Sequence, residues 1–212
     1  MSLDTVLSQG LSALGLDCPL AVRARLLDYV RLLHKWNRVY NLTAVREPRE
    51  MVPRHLLDSL AVLPYLHGRR VLDVGTGAGL PGIPLALMSP EREFVLLDSN
   101  NKKTRFVQQA VTELGLGNVQ VVQARVEDYR PGAPFDTVIS RAFSAIADML
   151  RQAGRHCAPD GVLLAMKGGE PREELAALPS GYKVQAIRRL QVPGLNEERH
   201  VVCLSVESGE NR

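Results

Sequence analysis

The sequence is poor in the features that mark secreted and membrane-spanning chains. It holds three cysteines, Cys18, Cys157 and Cys203, odd in number and far apart. That rules against a disulfide framework, shows no metal-ligand spacing and suggests a reducing, cytoplasmic setting with buried thiols. No apolar run approaches the ~20 residues that cross a bilayer, so no membrane association is expected. The start, Met1-Ser2-Leu3-Asp4, has no basic segment followed by an apolar stretch, so no signal peptide is expected. Nothing repeats and nothing is of low complexity. Charge of one sign is not in large excess either: the net is +3. What the chain does have is 45% apolar residues, enough for one real core.

The rest is organised around Val71-Leu72-Asp73-Val74-Gly75-Thr76-Gly77-Ala78-Gly79-Leu80-Pro81-Gly82. A short apolar run after Arg69-Arg70 reads as a buried parallel strand. Gly75, Gly77 and Gly79 let the chain turn sharply and let a ligand approach the backbone. Ile83 to Met88 reads as a helix start, whose free N–H groups are expected to face that ligand. Glu93 to Asp98 reads as the next strand, ending in a carboxylate. Asp98 lies 23 residues after Gly75, close to the ~20-residue spacing of a residue that grips ribose hydroxyls. A glycine turn alone would be weak; with Asp98 it points to a nucleotide. A dinucleotide fingerprint needs a third glycine where Leu80 stands, which weakens a nicotinamide-dependent reading. The pattern G-x-G-x-G suits an adenosine ligand without phosphates, and S-adenosylmethionine is the obvious one. Leu72 to Gly79 resembles the first motif of Rossmann-like methyltransferases.

Ahead of this loop the charge is uneven. Residues 1–70 carry a net +4 and residues 71–212 a net −1, which favours a polyanionic partner for the N-terminal third. Leu3 to Leu16 has helical spacing with Gly15 as its stop, and Pro19 suits the first turn of a second helix. That helix ends in Trp36-Asn37-Arg38-Val39-Tyr40-Asn41-Leu42-Thr43. Aromatics beside amides and arginine are what base stacking and base-edge contacts use. Trp36 is expected to dock on the core; Asn41, which no apolar contact explains, is expected to be functional. From Glu47-Pro48 a helix is expected to run through Leu66. Arg54 and Asp58 are i,i+4 partners that could form a surface pair. His55 and Ser59 lie on an adjacent line of the same helix.

Beyond Asp98 an amphipathic helix to Leu114 is expected to stop at Gly115 or Gly117. Strands follow at Val119–Val122, Phe135–Ile139 and Gly161–Met166. Arg141, just past the fourth strand, should point into the site, because ligands in open α/β sheets bind beyond the strand ends. Ser144 is expected to cap the helix after it. Tyr182–Leu190 and Val201–Val206 read as an antiparallel pair. The expected fold is α/β: a seven-stranded, mostly parallel sheet with helices on both faces. Residues 1–66 form a helical extension of the same domain, 67–206 the core and 207–212 a frayed tail.

These segments closely resemble one family, RsmG or GidB. The resemblance runs through Trp36-Asn37, Tyr40 to Thr43, Arg54-His55 with Asp58-Ser59, Gly75 to Pro84 and Leu97-Asp98-Ser99. It continues through Arg125-Val126-Glu127, Ile139-Ser140-Arg141-Ala142-Phe143, Lys167-Gly168, Leu190 to Pro193 and Glu198-Arg199-His200. It implies a class I S-adenosylmethionine-dependent methyltransferase acting on N7 of one guanine of 16S ribosomal RNA near the decoding site, with S-adenosylhomocysteine as product. By position it assigns Gly75, Leu80, Val126, Glu127 and Arg141 to the cofactor, beside Gly77, Gly79 and Asp98 from the loop reading. Asn41, Arg54, His55, Lys167, Arg199 and His200 become candidates for the RNA, with the small ribosomal subunit as partner, a monomeric enzyme and no metal. Guanine N7 carries a lone pair and no proton, so no general base is needed. Asn41 and Arg141 are then positioning candidates rather than acid–base groups. Two other readings stay open: a cofactor-sensing RNA-binding module without turnover, and a methyltransferase of a small molecule or protein.

Overall fold

The computed structural model describes residues 1–207. The sheet is built from β1 (Arg70–Val74), β2 (Glu93–Asp98), β3 (Val119–Gln123), β4 (Phe135–Ser140), β5 (Cys157–Lys167), β6 (Tyr182–Arg189) and β7 (His200–Val206). Their order is β3-β2-β1-β4-β5-β7-β6, with β7 alone antiparallel to its neighbours. The order reverses between β1 and β4, which are paired parallel. Such a reversal opens a crevice beyond the carboxyl ends of the strands.

Strand residues alternate between two apolar layers, as the pleat requires. Phe94 and Leu96 join one cluster while Val95 and Leu97 join the other. The first face carries α1 (Leu3–Ala13), α2 (Leu20–Tyr40), α5 (Gly82–Met88) and α6 (Asn101–Glu113). The second carries α7 (Ile146–Ala153) and, against its edge, Leu175 of α8 (Arg172–Ala176). Leu7, Leu26 and Leu33 of the N-terminal helices share one cluster with Val71, Ile83 and Leu96. Phe106 ties them further, with its ring 6.3 Å from Tyr29 and 5.6 Å from Trp36. Trp36 does dock on the core.

Several local expectations change. The helix expected from Glu47 to Leu66 is broken. It consists of α3 (Pro48–Met51), a π-helical segment Val52–Leu57, α4 (Asp58–Leu60) and a 3-10 turn Leu63–Tyr65. Pro53 has no N–H to give the α-helical ladder, and wider turns of this kind recur at functional sites. α7 is not capped by Ser144: its cap residue is Ala145, and Glu174 of α8 accepts the Ile146 N–H at 2.8 Å. Cys157 and Cys203 are buried, whereas Cys18 is only half-buried. The tail expected to fray from 207 is held at its first residue, where the Glu207 N–H donates to the Gly181 carbonyl at 2.8 Å. Residues 208–212 lie outside the described residues. Among the described residues no helix is long and apolar enough to cross a membrane.

Candidate active site

The glycine loop is fastened from three sides. The N–H groups of Gly75 and Thr76 donate to the Leu97 carbonyl at 2.8 and 3.0 Å, which binds the loop to the end of β2. Tyr29 of α2 donates its hydroxyl to the Ala78 carbonyl at 2.7 Å. Asp73, fully buried in β1, accepts from Thr76 Oγ1 at 2.6 Å and from the Gly82 N–H at 2.9 Å. Burial raises the Asp73 carboxyl to about 6, against the lowering effect of those hydrogen bonds. The expected free N–H groups at the start of α5 are therefore largely used inside the protein. Gly82 is held by Asp73, Ile83 by the Gly79 carbonyl and Leu85 by the Pro81 carbonyl, while Pro84 has no N–H. The ligand must be met by the loop itself.

The glycines differ in what they do. At Gly75, φ is +69° and an added Cβ would lie 2.7 Å from Ala142 Cβ. At Gly77, φ is +62° and the nearest atom to an added Cβ is 3.9 Å away, so the residue faces open space. Gly79 turns toward Ile83 and borders none of the cavities described below.

Three cavities adjoin one another along the crevice. The first, about 220 Å³, is bordered by Gly75, Asp98, Val126, Glu127 and Phe143 among others. Asp98 accepts the Gly77 N–H at 2.9 Å and the Asn100 N–H at 2.8 Å; a carboxylate has about four acceptor positions, so two remain. The second, about 180 Å³, is bordered by Leu42, Thr43, Gly75, Gly77, Leu80, Arg141 and Ala142. The third, about 360 Å³, gathers Arg54, His55, Asp58, Arg141, Lys167, Arg199 and His200 on a floor that includes Met166 and Leu190. Gly75 and Ala142 belong to the first two cavities, and Arg141 to the second and third.

These surroundings fit the expected cofactor. The first cavity offers a half-satisfied carboxylate and the apolar Val126. The second offers a cradle at Gly77 that any side chain would begin to fill. Thus Gly75, Gly77, Leu80, Asp98, Val126, Glu127 and Arg141 line the two cavities, and Gly79 supports them from behind.

The third cavity holds five of the six substrate candidates. Asn41 is the exception. It is exposed, caps α2 with φ +49°, and accepts from Arg46 at 2.8 Å through its side-chain oxygen. Asparagine tolerates this left-handed conformation better than most residues, which explains its presence without a ligand. The neighbouring Asn37 is the buried one. It accepts the Thr43 N–H at 2.9 Å and donates to the Val45 carbonyl at 3.0 Å, pinning the segment that roofs the second cavity. Thr43 in turn meets His55 Nε2 at 2.9 Å.

Arg54 and Asp58 do not form the surface pair that their i,i+4 spacing allows. Asp58 is 2% exposed and holds Arg141 and Arg199, each at 3.1 Å, on separate oxygens. Arg54 turns outward to Glu197 at 2.6 Å. Lys167 is tied to Glu174 at 2.8 Å. Burial, and then the Arg141 charge, lower His55 to about 4, so the ring is neutral near pH 7. The Nδ1 atoms of His55 and His200 are buried without partners. Asp58, Asn37 and Glu197 are the residues that sequence reasoning did not single out as functional. Among the described residues, no group of three or more His, Cys, Asp or Glu side chains is placed to hold a metal ion.

Residues 23–202 match the family described as GidB, rRNA small subunit methyltransferase G. The ribosomal RNA small subunit methyltransferase G of Nitrosococcus oceani is 53% identical over 95% of this chain and 94% of its own. That of Methylococcus capsulatus is 55% identical over 94% of this chain and 97% of its own. Among solved structures, the O-methyltransferase TomG from Streptomyces achromogenes, in complex with SAM, superposes with a TM-score of 0.60. It is 17% identical, covering 98% of this chain and 100% of that one, and shows the shared fold.

Proposed function

The chain belongs to the rRNA small subunit methyltransferase G family, and from that premise we propose that it methylates N7 of one guanine in 16S ribosomal RNA. It is an S-adenosylmethionine-dependent methyltransferase of small-subunit ribosomal RNA. The finer reading, guanine N7 near the decoding site, rests on the family resemblance and on one feature of the site. Arg141 borders both the second and the third cavity, so a nucleobase in the third would lie next to the space for the methyl donor.

When bound, S-adenosylmethionine supplies a methyl group already activated by its sulfonium charge. The chain's own task is to align the two reactants, and holding them as a near-attack pair can supply ~7–11 kcal/mol. In this reading Gly75, Gly77 and Leu80 leave room for the cofactor, while Asp98, Val126 and Glu127 hold its nucleoside. Asp58 aims Arg141, whose planar donors suit the guanine O6 acceptor. His55 is neutral near pH 7 and no group has to accept a proton. Arg54, Arg199 and His200 meet the RNA strand, and Lys167 orders that wall through Glu174. A guanine drawn from a stack would cost a few kcal/mol, which is about what one charge-assisted contact returns. The enzyme acts as a monomer, without a metal ion, in the cytoplasm.

The test is transfer of labelled methyl from S-adenosylmethionine to small ribosomal subunits that lack the modification. Label in the RNA is expected. Label in ribosomal protein, or none in either, would overturn the reading.

A further inference from the structure

Arg54 and Arg199 come from distant parts of the chain, the π-helical segment and the residue before β7, and they converge on Glu197. Arg54 Nη2 lies 2.6 Å from one carboxylate oxygen and Arg199 Nη2 2.8 Å from the other. Arg199 needs no help from Glu197 to stay in place. Its Nε is fixed by the buried Asp58 and its Nη1 donates to the Glu198 carbonyl at 2.8 Å. Arg54 and Glu197 are far more open, at 38% and 45% exposed. Exposed ion pairs of this kind contribute little to stability. The arginine hydrogen bonds hold the Glu197 carboxyl below its usual range, so it is ionised at neutral pH.

Two guanidinium groups gripping two oxygens of one anion is an arrangement that also suits the non-bridging oxygens of a phosphodiester. Both arginines border the third cavity. We propose that Arg54 and Arg199 form a clamp for one backbone phosphate of the RNA substrate, and that Glu197 occupies the clamp until RNA displaces it. This rests on the RNA-methyltransferase reading and deepens it. Asp58 is the permanent anchor and Glu197 the exchangeable occupant. Lys167 stands outside the clamp, because Ser144 and Glu174 hold it and only 12% of it is exposed. Glu197 thereby raises the threshold for RNA, so that a strand with a phosphate at this spot gains over one without it.

The test uses the full chain and small ribosomal subunits lacking the modification, with affinity measured for Glu197→Ala, Glu197→Gln and Glu198→Ala. Glu198 is the control for general charge, since it pairs with Arg189 at 3.5 Å instead. Glu197→Ala should tighten RNA binding about two- to fivefold, the scale of one exposed ion pair. Glu197→Gln should follow it, and Glu198→Ala should change binding by less. In an Arg54→Ala background, Glu197→Ala should tighten binding less, because only Arg199 is then released. An equal gain in Glu198→Ala, no gain in either Glu197 variant, or a gain undiminished by the loss of Arg54 would overturn the clamp. Failure of the wild type to label RNA would instead overturn the underlying reading, and these affinity differences are read separately from that.

Discussion

Arg141 donates to the buried carboxylate of Asp58 at 3.1 Å, across 83 residues of chain. The contact joins the end of β4 to the helical segment ahead of β1 and sets the wall between two cavities. Removing the carboxylate takes the buried ionic partner from Arg141 and Arg199 together. Both guanidinium groups are partly exposed, so water softens the loss. Asp58→Ala should destabilise the protein by about 1–3 kcal/mol and weaken both cofactor and RNA binding. Urea unfolding with an unchanged midpoint, together with wild-type affinities, would remove Asp58 from the account.

Gly77 separates ligand space from protein packing. An added Cβ meets no protein atom closely, yet the backbone is left-handed. Gly77→Ala should therefore carry a strain of about 1–2 kcal/mol and lose additional affinity for S-adenosylmethionine, with Gly77→Val worse. Calorimetry on the folded variants decides it. Undiminished affinity in Gly77→Val would mean the cofactor does not reach this loop.

Two buried groups should oppose one another in the pH dependence of stability. The Asp73 carboxyl stands at about 6 in the fold, against ~3.9 in an unfolded chain. Between those values the native state holds the extra proton, so this contribution falls as pH rises. His55 stands at about 4 in the fold, against ~6.5 unfolded. There the unfolded state holds the extra proton, so stability rises with pH across that window. Relative to wild type, Asp73→Asn should make stability climb more steeply from about pH 4 to about pH 6, and His55→Gln less steeply. Urea midpoints across that range would show it, and two unchanged slopes would contradict both assignments.

Salt should distinguish the two ligands. RNA affinity should fall by ~0.7–0.9 log units per log unit of salt for each phosphate neutralised. Cofactor affinity should change far less, since S-adenosylmethionine carries no phosphates and releases no condensed counterions. An equal response of both would mean that the basic N-terminal third is not part of the RNA surface.

The sheet and the glycine loop were legible because their signals are local. Apolar runs, turn glycines and a carboxylate at the end of the next strand repeat a periodicity that a single sequence displays. The contents of the third cavity came from family resemblance, since Asp58, Arg141 and Arg199 meet across long separations that no local pattern encodes. The capping role of Asn41 was not legible, because the amide that reads a base edge also tolerates a left-handed helix cap. The free N–H groups expected at the start of the Ile83–Met88 helix are used inside the protein for a related reason. Free N–H groups are a general property of helix ends, but Asp73 lies beneath this one, visible only once β1 and α5 are packed. Pro53 and α8 show the same limit, as their neighbours decide what the backbone does.

The central claim is that this chain positions a proton-free nucleophile, N7 of a guanine, against an activated methyl group. The most direct measurement is nucleoside analysis of small-subunit RNA after reaction with labelled S-adenosylmethionine, with the label mapped to a single position. N7-methylguanosine at one site in 16S ribosomal RNA is the expected product. Label on an exocyclic amine or a ribose hydroxyl, which would each have to lose a proton, would contradict it.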